Sequence, residues 1–314
     1  MNKPELSLMM TRYDRTDPLF SGKVSIAGAD LKVCPPPVQG DACYKPVYEQ
    51  FDIAEMSLSW YLMARCRGEP LIALPIFPLR MFVQPYLFCR EPSAINGPEK
   101  LKGKRIGIQQ YRITVGLWTR GILKELHGVD YSQNQWVTTE PEGAGFQIPA
   151  NIRLDLKDDD LESLLLEGAL DALVLPNVSK IFRAGDRRIR RVFRDCRAVV
   201  DDYFQATKIF PITHTMVARE RLLAKSPWLC RQLVDAFNAA DRGCQIDYEY
   251  PKRFSFPTAV LFLEEEEKRF GKNPWVHGLQ PNRMVLEKFV EYAQDQGYMS
   301  SQPGLDDIFA PMID

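Results

Sequence analysis

What the chain lacks narrows its possibilities first. No apolar run approaches the ~18 residues that a membrane-spanning helix needs; the most apolar stretch, Leu71–Leu79, is broken by Pro75 and Pro78. The opening residues, MNKPELSLMMTRYDRT, contain neither the apolar core nor the cleavage site of a secretion signal. Neither charge sign dominates: 40 Lys and Arg face 41 Asp and Glu, a net of -1, so no global field favours nucleic acid or an anionic membrane. The seven cysteines are odd in number and contain no C-x-x-C pair, which points to reduced thiols rather than a disulfide framework. The expected location is the cytoplasm. Also missing are G-x-G-x-x-G, a P-loop, H-x-H, H-E-x-x-H and G-x-S-x-G, so nucleotide binding, a resident metal and a serine hydrolase have no support from motifs. A divalent metal drawn from separate loops, such as Glu55 with His214, is left open but not signalled.

What is present is the composition of an ordinary globular protein, 45% hydrophobic and 26% charged. At 314 residues, two lobes are the default. Short apolar runs alternate with helical patterns: Leu6–Met10, Val24–Val33 with a hairpin or bulge at Gly28, Phe51–Met56, then the helix Leu58–Arg67 closed by Gly68. Leu71–Phe77 and Tyr86–Arg90 follow as strands, and the proline-rich Cys34–Gln39 cannot lie inside a sheet. This alternation predicts an α/β chain with mostly parallel sheets. The polar stretch Glu91–Leu101 reads as a crossing into a second lobe and Thr207–Ile212 as the return. The expected division is 1–91 with 208–314 against 92–207. No internal repeat is visible. Arg183–Arg197 is basic but interrupted by Asp186 and Asp195, a solvated helix or strand edge.

The second lobe opens with a predicted strand at Lys104–Ile108, where Gly107 permits close approach of a neighbour. A polar turn leads into a helix with Val115, Trp118, Ile122 and Leu126 at helical spacing. Thr114 stands where an N-cap belongs, so N–H groups around Tyr111–Thr114 are expected to meet a carboxylate. Further on, Leu161–Glu167 reads as a helix, Ala172–Leu175 and His214–Arg219 as strands. Ser226-Pro227 reads as the cap of a long helix and Met284–Gln296 as a last one. Two such lobes suit a ligand cleft bordered by strand-end loops. Those loops are Tyr13–Thr16, Glu55–Ser57, Pro78–Arg80, Gln109–Thr114, Pro176–Asn177 and Pro211–His214. A small carboxylate is the expected ligand; whether the chain forms a homo-oligomer is left open.

At YDRT (Tyr13–Thr16), FDIAEMSLS (Phe51–Ser59) and PIFPLR (Pro75–Arg80) the chain resembles the 4,5-dihydroxyphthalate decarboxylase family. The likeness continues through LKGKRIGI, WTRGIL, GALDALVLP, KIFPITH and the terminal FVEYAQDQG. The resemblance implies a type II periplasmic-binding-protein-like fold turned to catalysis, a scaffold shared with solute-binding proteins. It further implies a cofactor-independent decarboxylase of a hydroxylated aromatic acid, phthalate- or benzoate-like. The alternative is a solute-binding protein that holds a small carboxylate without chemistry. Three places depart from the family's usual pattern: Val83-Gln84-Pro85 in place of an Arg-His-Ser run, Gln109-Gln110-Tyr111 in place of Pro-Glu-Tyr, and Trp275-Val276-His277-Gly278 in place of Trp-Pro-Tyr-Gly. With a basic pair and an acid gone, a less charged substrate, even a monocarboxylate, is expected.

Removing CO2 from an electron-rich aromatic acid needs a cation for the carboxylate, an acid for the ring carbon and support for the ring hydroxyl. Arg15 and Arg80 are the candidate carboxylate anchors, because a guanidinium meets a carboxylate at two points. His214, one of three histidines, is the candidate acid, with an ordinary pKa of ~6.5. Glu55 would orient it or accept a hydroxyl proton. Tyr13, Ser57, Gln84, Tyr111, Thr114 and Asn177 are the remaining candidate substrate contacts. His277 reads as a replacement pocket group or an exposed residue.

Overall fold

The computed structural model describes residues 3–36, 50–143, 145–248, 250–300 and 302–313. From position 37 on, the proline-rich run lies outside the described residues, as does Cys43; the six described cysteines are free thiols. Eleven strands are formed among the described residues: β1 (Glu5–Met9), β2 (Asp30–Cys34), β3 (Ile53–Ser57), β4 (Leu71–Leu74), β5 (Leu87–Arg90), β6 (Arg105–Ile108), β7 (Gln135–Thr138), β8 (Arg153–Leu156), β9 (Ala172–Val174), β10 (Ile189–Arg191) and β11 (His214–Arg219). The chain divides into two compact units: Met1–Arg80, Ile212–Glu287 and Pro303–Asp314 form the first, Met81–Pro211 and Lys288–Gln302 the second. The outward crossing therefore falls at Arg80–Met81, ahead of the expected stretch at Glu91–Leu101. The reason is that β5, expected in the first lobe, pairs with β9 and β10 of the second unit.

The first unit holds a sheet in the order β2-β1-β3-β11-β4. β1 runs parallel to β2 and β3, while β11 runs antiparallel to both β3 and β4. The hairpin or bulge expected around Gly28 does not form, because Gly28 precedes the strand: only Asp30–Cys34 of that stretch is strand, and it pairs parallel with β1. Gly28, at φ +86°, instead sits against the Trp228 ring, where a Cβ would lie 3.0 Å from the indole. The helix Leu229–Tyr248 places Leu229, Leu233, Phe237 and Ala240 at helical spacing, and all four are buried with Leu8, Ile53, Leu74 and Met216 of the sheet. Each of these side chains larger than alanine contributes roughly 1.5–3 kcal/mol by leaving water. Ser226 does not cap this helix: it ends the short helix Glu220–Lys225, and its carbonyl accepts the Leu229 N–H.

The second unit holds a sheet in the order β10-β5-β9-β6-β7-β8. β9, β6, β7 and β8 are mutually parallel, and β5 is antiparallel to both its neighbours. Both sheets are thus mixed rather than mostly parallel, with β11 in the first and β5 in the second running against their neighbours. Gly107 behaves as its sequence context requires, since a Cβ there would stand 2.6 Å from Leu170. The helix Thr114–His127 buries Val115, Trp118 and Ile122 but leaves Leu126 nearly half exposed. Its N-cap is Ile113, with Thr114 one residue inside. The helix Leu279–Asp295 belongs to the first unit up to Glu287 and to the second from Lys288. No helix among the described residues is long and apolar enough to cross a membrane.

Candidate active site

The antiparallel pairing of β3 and β11 brings the central pair together. His214 lies opposite Ser57 and Met216 opposite Glu55, so Glu55 and His214 are diagonal neighbours on one face. His214 Nδ1 stands 2.6 Å from Glu55 Oε1. The His214 N–H and that of Thr213 both donate to the Leu79 carbonyl, and Leu58 N–H donates to Thr213 oxygen. The histidine is thereby pinned at the start of its strand, beside the loop Pro78–Arg80.

Glu55 is fully buried, and burial by itself would push its carboxyl up. Hydrogen bonding and charge from His214, with hydrogen bonds from Tyr13 and the Thr11 N–H, hold it below the ordinary carboxylate range instead. The Tyr13 hydroxyl donates to Oε1 at 2.7 Å and the Thr11 N–H to Oε2 at 2.7 Å. Both oxygens are therefore engaged. An ionised carboxylate only accepts, so Nδ1 carries a proton and proton exchange with anything else falls to Nε2. Tyr13 is held as the neutral phenol, first by burial and then by the Glu55 charge and hydrogen bond.

Arg15 packs its guanidinium 4.5 Å from the Tyr13 ring centroid and 3.7 Å from that of Trp275. One of its Nη atoms donates to the Pro78 carbonyl and the other stands 3.3 Å from the exposed Asp14 carboxylate. Its Nε is buried with no hydrogen-bond partner among the described residues. Tyr13, Arg15, Glu55 and His214, four residues from three of the strand-end loops expected from the sequence, thus form one constellation in the first unit.

Arg80 is more deeply built in. It is 5% exposed, and its Nη2 donates to Val276 oxygen at 2.8 Å and to Asn282 Oδ1 at 2.6 Å. Burial lowers its pKa to about 9, against the attraction of Asp241. Ser57 is buried at the N-cap of the helix Leu58–Cys66, yet its side chain makes no cap bond; its hydroxyl is 3.5 Å from that of Ser59. His277 is neither exposed nor a pocket group. Its Nδ1 accepts the Phe77 N–H at 3.1 Å and its Nε2 faces Asp241 at 3.2 Å. An Nδ1 that accepts cannot carry a proton, and burial keeps the ring neutral despite Asp241.

The other four candidates belong to the second unit. Tyr111 is wholly buried, its ring 3.8 Å from the Arg120 guanidinium, and its hydroxyl has no partner among the described residues. The carboxylate expected at this turn is present, but it is the chain's own: Glu142 accepts the Tyr111 N–H at 2.5 Å and the Arg112 N–H at 3.1 Å. Gln109 donates to Glu140 and Gln110 to the Pro141 carbonyl, so the segment Glu140–Glu142 is strapped across the turn. Thr114 is buried inside the first helical turn, Gln84 is buried in a short 3-10 turn, and Asn177 is exposed. No group of three or more His, Cys, Asp or Glu among the described residues is placed to hold a metal ion.

Four contributors escape a reading of the sequence: Thr11, which acts through its backbone, and Trp275, Asn282 and Glu142. Only Trp275 carries a signal there, as part of the departing Trp-Val-His-Gly run.

No protein-family model matches the chain. Among curated proteins it is 29% identical to a 4,5-dihydroxyphthalate decarboxylase of Comamonas testosteroni, over 99% of this chain and 98% of the relative. It is 31% identical to a second, from Pseudomonas putida, over 66% of this chain and 83% of the relative. Among solved structures, the periplasmic aliphatic sulphonate binding protein SsuA from Escherichia coli aligns with a TM-score of 0.58 over 98% of both chains at 11% identity. The desulfurization enzyme DSZB aligns at 0.55 over 98% of this chain and 97% of that one, at 15% identity. These structural likenesses establish the α/β fold of the periplasmic solute-binding proteins.

Proposed function

Since the chain belongs to the 4,5-dihydroxyphthalate decarboxylase family, we propose that it releases CO2 from a hydroxylated aromatic acid without an electron-sink cofactor, using His214 as the proton donor. It is a carboxy-lyase. The single observation that carries the residue assignment is the buried Glu55 carboxylate held against His214 Nδ1.

The chemistry follows from that pair. Glu55 stabilises the doubly protonated imidazole, so Nε2–H can pass its proton to the ring carbon that bears the carboxylate. The electron pair for the new C–H bond comes from the ring, assisted by its hydroxyl. The carbon–carboxylate bond then breaks, CO2 leaves, and the bonding pair returns to the ring to restore aromaticity. His214 ends neutral at Nε2 and regains its proton from water. Atoms and electrons balance with no oxidant or reductant. Arg15 is the cation that holds a carboxylate beside this proton. Tyr13, kept as a phenol, fixes the Glu55 oxygen that faces the histidine and supports the Arg15 guanidinium with its ring.

A monocarboxylate substrate has less support than the sequence alone lends it. Gln109 and Gln110 answer to Glu140 and Pro141 of the chain itself, so their identity need not report on substrate charge. The activity for which both relatives are named favours the dihydroxylated phthalate.

The test is CO2 release from 4,5-dihydroxyphthalate and a panel of hydroxybenzoates, comparing wild type with His214→Gln and His214→Ala. A positioned general acid is worth ~10²–10⁴-fold in rate, and losses of that size are expected in both variants. Turnover that survives the two substitutions removes His214 from the mechanism.

A further inference from the structure

The run Trp275–Gly278 departs from the family pattern, and the chemistry above makes no use of it. Every residue in it is nevertheless tied to the loop Pro75–Arg80 or to an arginine. Gly278, at φ +109°, donates its N–H to the Pro75 carbonyl at 2.8 Å. His277 accepts the Phe77 N–H and gives its own N–H to Asn238 Oδ1 at 3.2 Å. The Val276 carbonyl accepts from Arg80 at 2.8 Å and from Asn282 Nδ2 at 3.0 Å. Trp275, the last of the four, lays its ring 3.7 Å from the Arg15 guanidinium carbon.

We infer that Trp275 is a positioning residue that sets the Arg15 guanidinium for the substrate carboxylate, and that the hydrogen-bonded Val276–Gly278 anchor holds the indole in place. This rests on the reading of Arg15 given above. Three observations point to it. Arginine is a long, rotamer-rich side chain whose use as a fork depends on its being pre-set. The polar contacts of Arg15 do not set it alone: one is with a backbone carbonyl, and the Asp14 carboxylate, itself tied by the Arg15 backbone N–H and the Tyr248 hydroxyl, is 58% exposed, so its ion pair with the guanidinium at 3.3 Å is weak. The indole is the strongest aromatic partner for a cation, and the interaction grows as water is excluded; the Arg15 side chain is only 12% exposed. Trp275 touches no reacting atom in the proposed reaction. It acts through Arg15.

The experiment reads Arg15 directly. Phenylglyoxal labelling of the full chain, located by mass spectrometry, is run on wild type, Trp275→Phe, Trp275→Leu and Trp275→Ala, alongside steady-state turnover of 4,5-dihydroxyphthalate. Loss of the aromatic face in the Leu and Ala variants should speed Arg15 labelling and raise KM, each about tenfold, with kcat moved less. Phe should restore both most of the way. Trp275→Leu keeps apolar volume, so it answers the question if the Ala variant does not fold. Labelling of Arg15 at the wild-type rate in Trp275→Leu overturns the inference. If wild type turns over no aromatic acid, the decarboxylase reading of the site fails, while the labelling ratio still decides the role of Trp275.

Discussion

Two carboxylates, the buried Glu55 in one unit and the largely buried Glu142 in the other, are treated in opposite ways by the same chain. Glu55 in the first unit is met by two side chains, the imidazole of His214 and the neutral phenol of Tyr13, and by one backbone N–H. Glu142 in the second unit is met by two backbone N–H groups at the head of a helix, with Arg112 Nε at 3.8 Å and the charge of Arg120 adding to them. For both, burial is the largest influence and favours the neutral acid. At Glu55 the neighbours outweigh it and the carboxyl is lowered; at Glu142 they do not and it is raised. Backbone donors tie a loop to a turn but cannot take up or release a proton at neutral pH. An imidazole can. The difference therefore separates a carboxylate held by a group that can move a proton from one held by the backbone, and in the proposed reaction the proton transfer belongs to the first unit.

The sharpest way to break that contrast is to remove each carboxylate in turn. Glu55→Ala leaves His214 and Tyr13 without their shared acceptor, a broken buried pair that costs about 3–5 kcal/mol of stability by urea unfolding. It should also reduce turnover by an amount similar to the loss of His214, since the two work together. Glu142→Ala frees two backbone N–H groups and should cost about 1–3 kcal/mol, with kcat within a few-fold of wild type. A Glu142→Ala enzyme as slow as Glu55→Ala would put the second unit's turn back into the chemistry.

A narrower cut tests whether Tyr13 belongs with Glu55 or with Arg15. Tyr13→Phe keeps the ring that packs on the guanidinium and removes only the hydrogen bond to Oε1. Hydrogen bonds to charged groups are worth about 1.5–3 kcal/mol, so stability should fall by that much. KM should hold, because Arg15 keeps its aromatic neighbours, while kcat falls as Glu55 loses a partner. A raised KM with unchanged kcat would instead place the tyrosine on the carboxylate side of the site.

The same division explains what is legible in the sequence. Strands and their end loops follow apolar period and turn chemistry over a few residues, so His214–Arg219, Phe51–Met56 (formed as Ile53–Ser57) and the loop Tyr13–Thr16 stand out. That a polar group flanks each of these apolar strands is legible too. Sheet sense is not: that β5 leaves the first lobe and that β11 runs antiparallel between β3 and β4 depends on pairing with partners far along the chain. Thr114 looks like a cap in the sequence, yet the apolar β-branched Ile113 holds the extended cap geometry with no side-chain bond of its own. Glu142 is invisible for a different reason. A helix head shows that an anion fits, but not that the chain will bring its own from about thirty residues away.

The smallest effect is also the one whose sign the two units must disagree on. Glu55, lowered in the folded state, contributes stability that is present above its unfolded value of ~4.3 and is lost as the pH falls through its folded value. Glu142, raised in the folded state, contributes stability that is present below ~4.3 and is lost as the pH rises through its folded value. A tenfold difference in proton affinity between the folded and unfolded chains is worth about 1.4 kcal/mol. Chemical unfolding of wild type, Glu55→Gln and Glu142→Gln from about pH 3 to pH 7 reads both. His277, which its burial holds below the ordinary imidazole range, destabilises all three proteins alike on acidification and cancels in the differences. The wild-type advantage over Glu55→Gln should widen as the pH rises, and that over Glu142→Gln should narrow. Parallel curves would mean that the two carboxylates are held by the same balance of burial and partners, leaving no electrostatic ground for assigning the proton to His214.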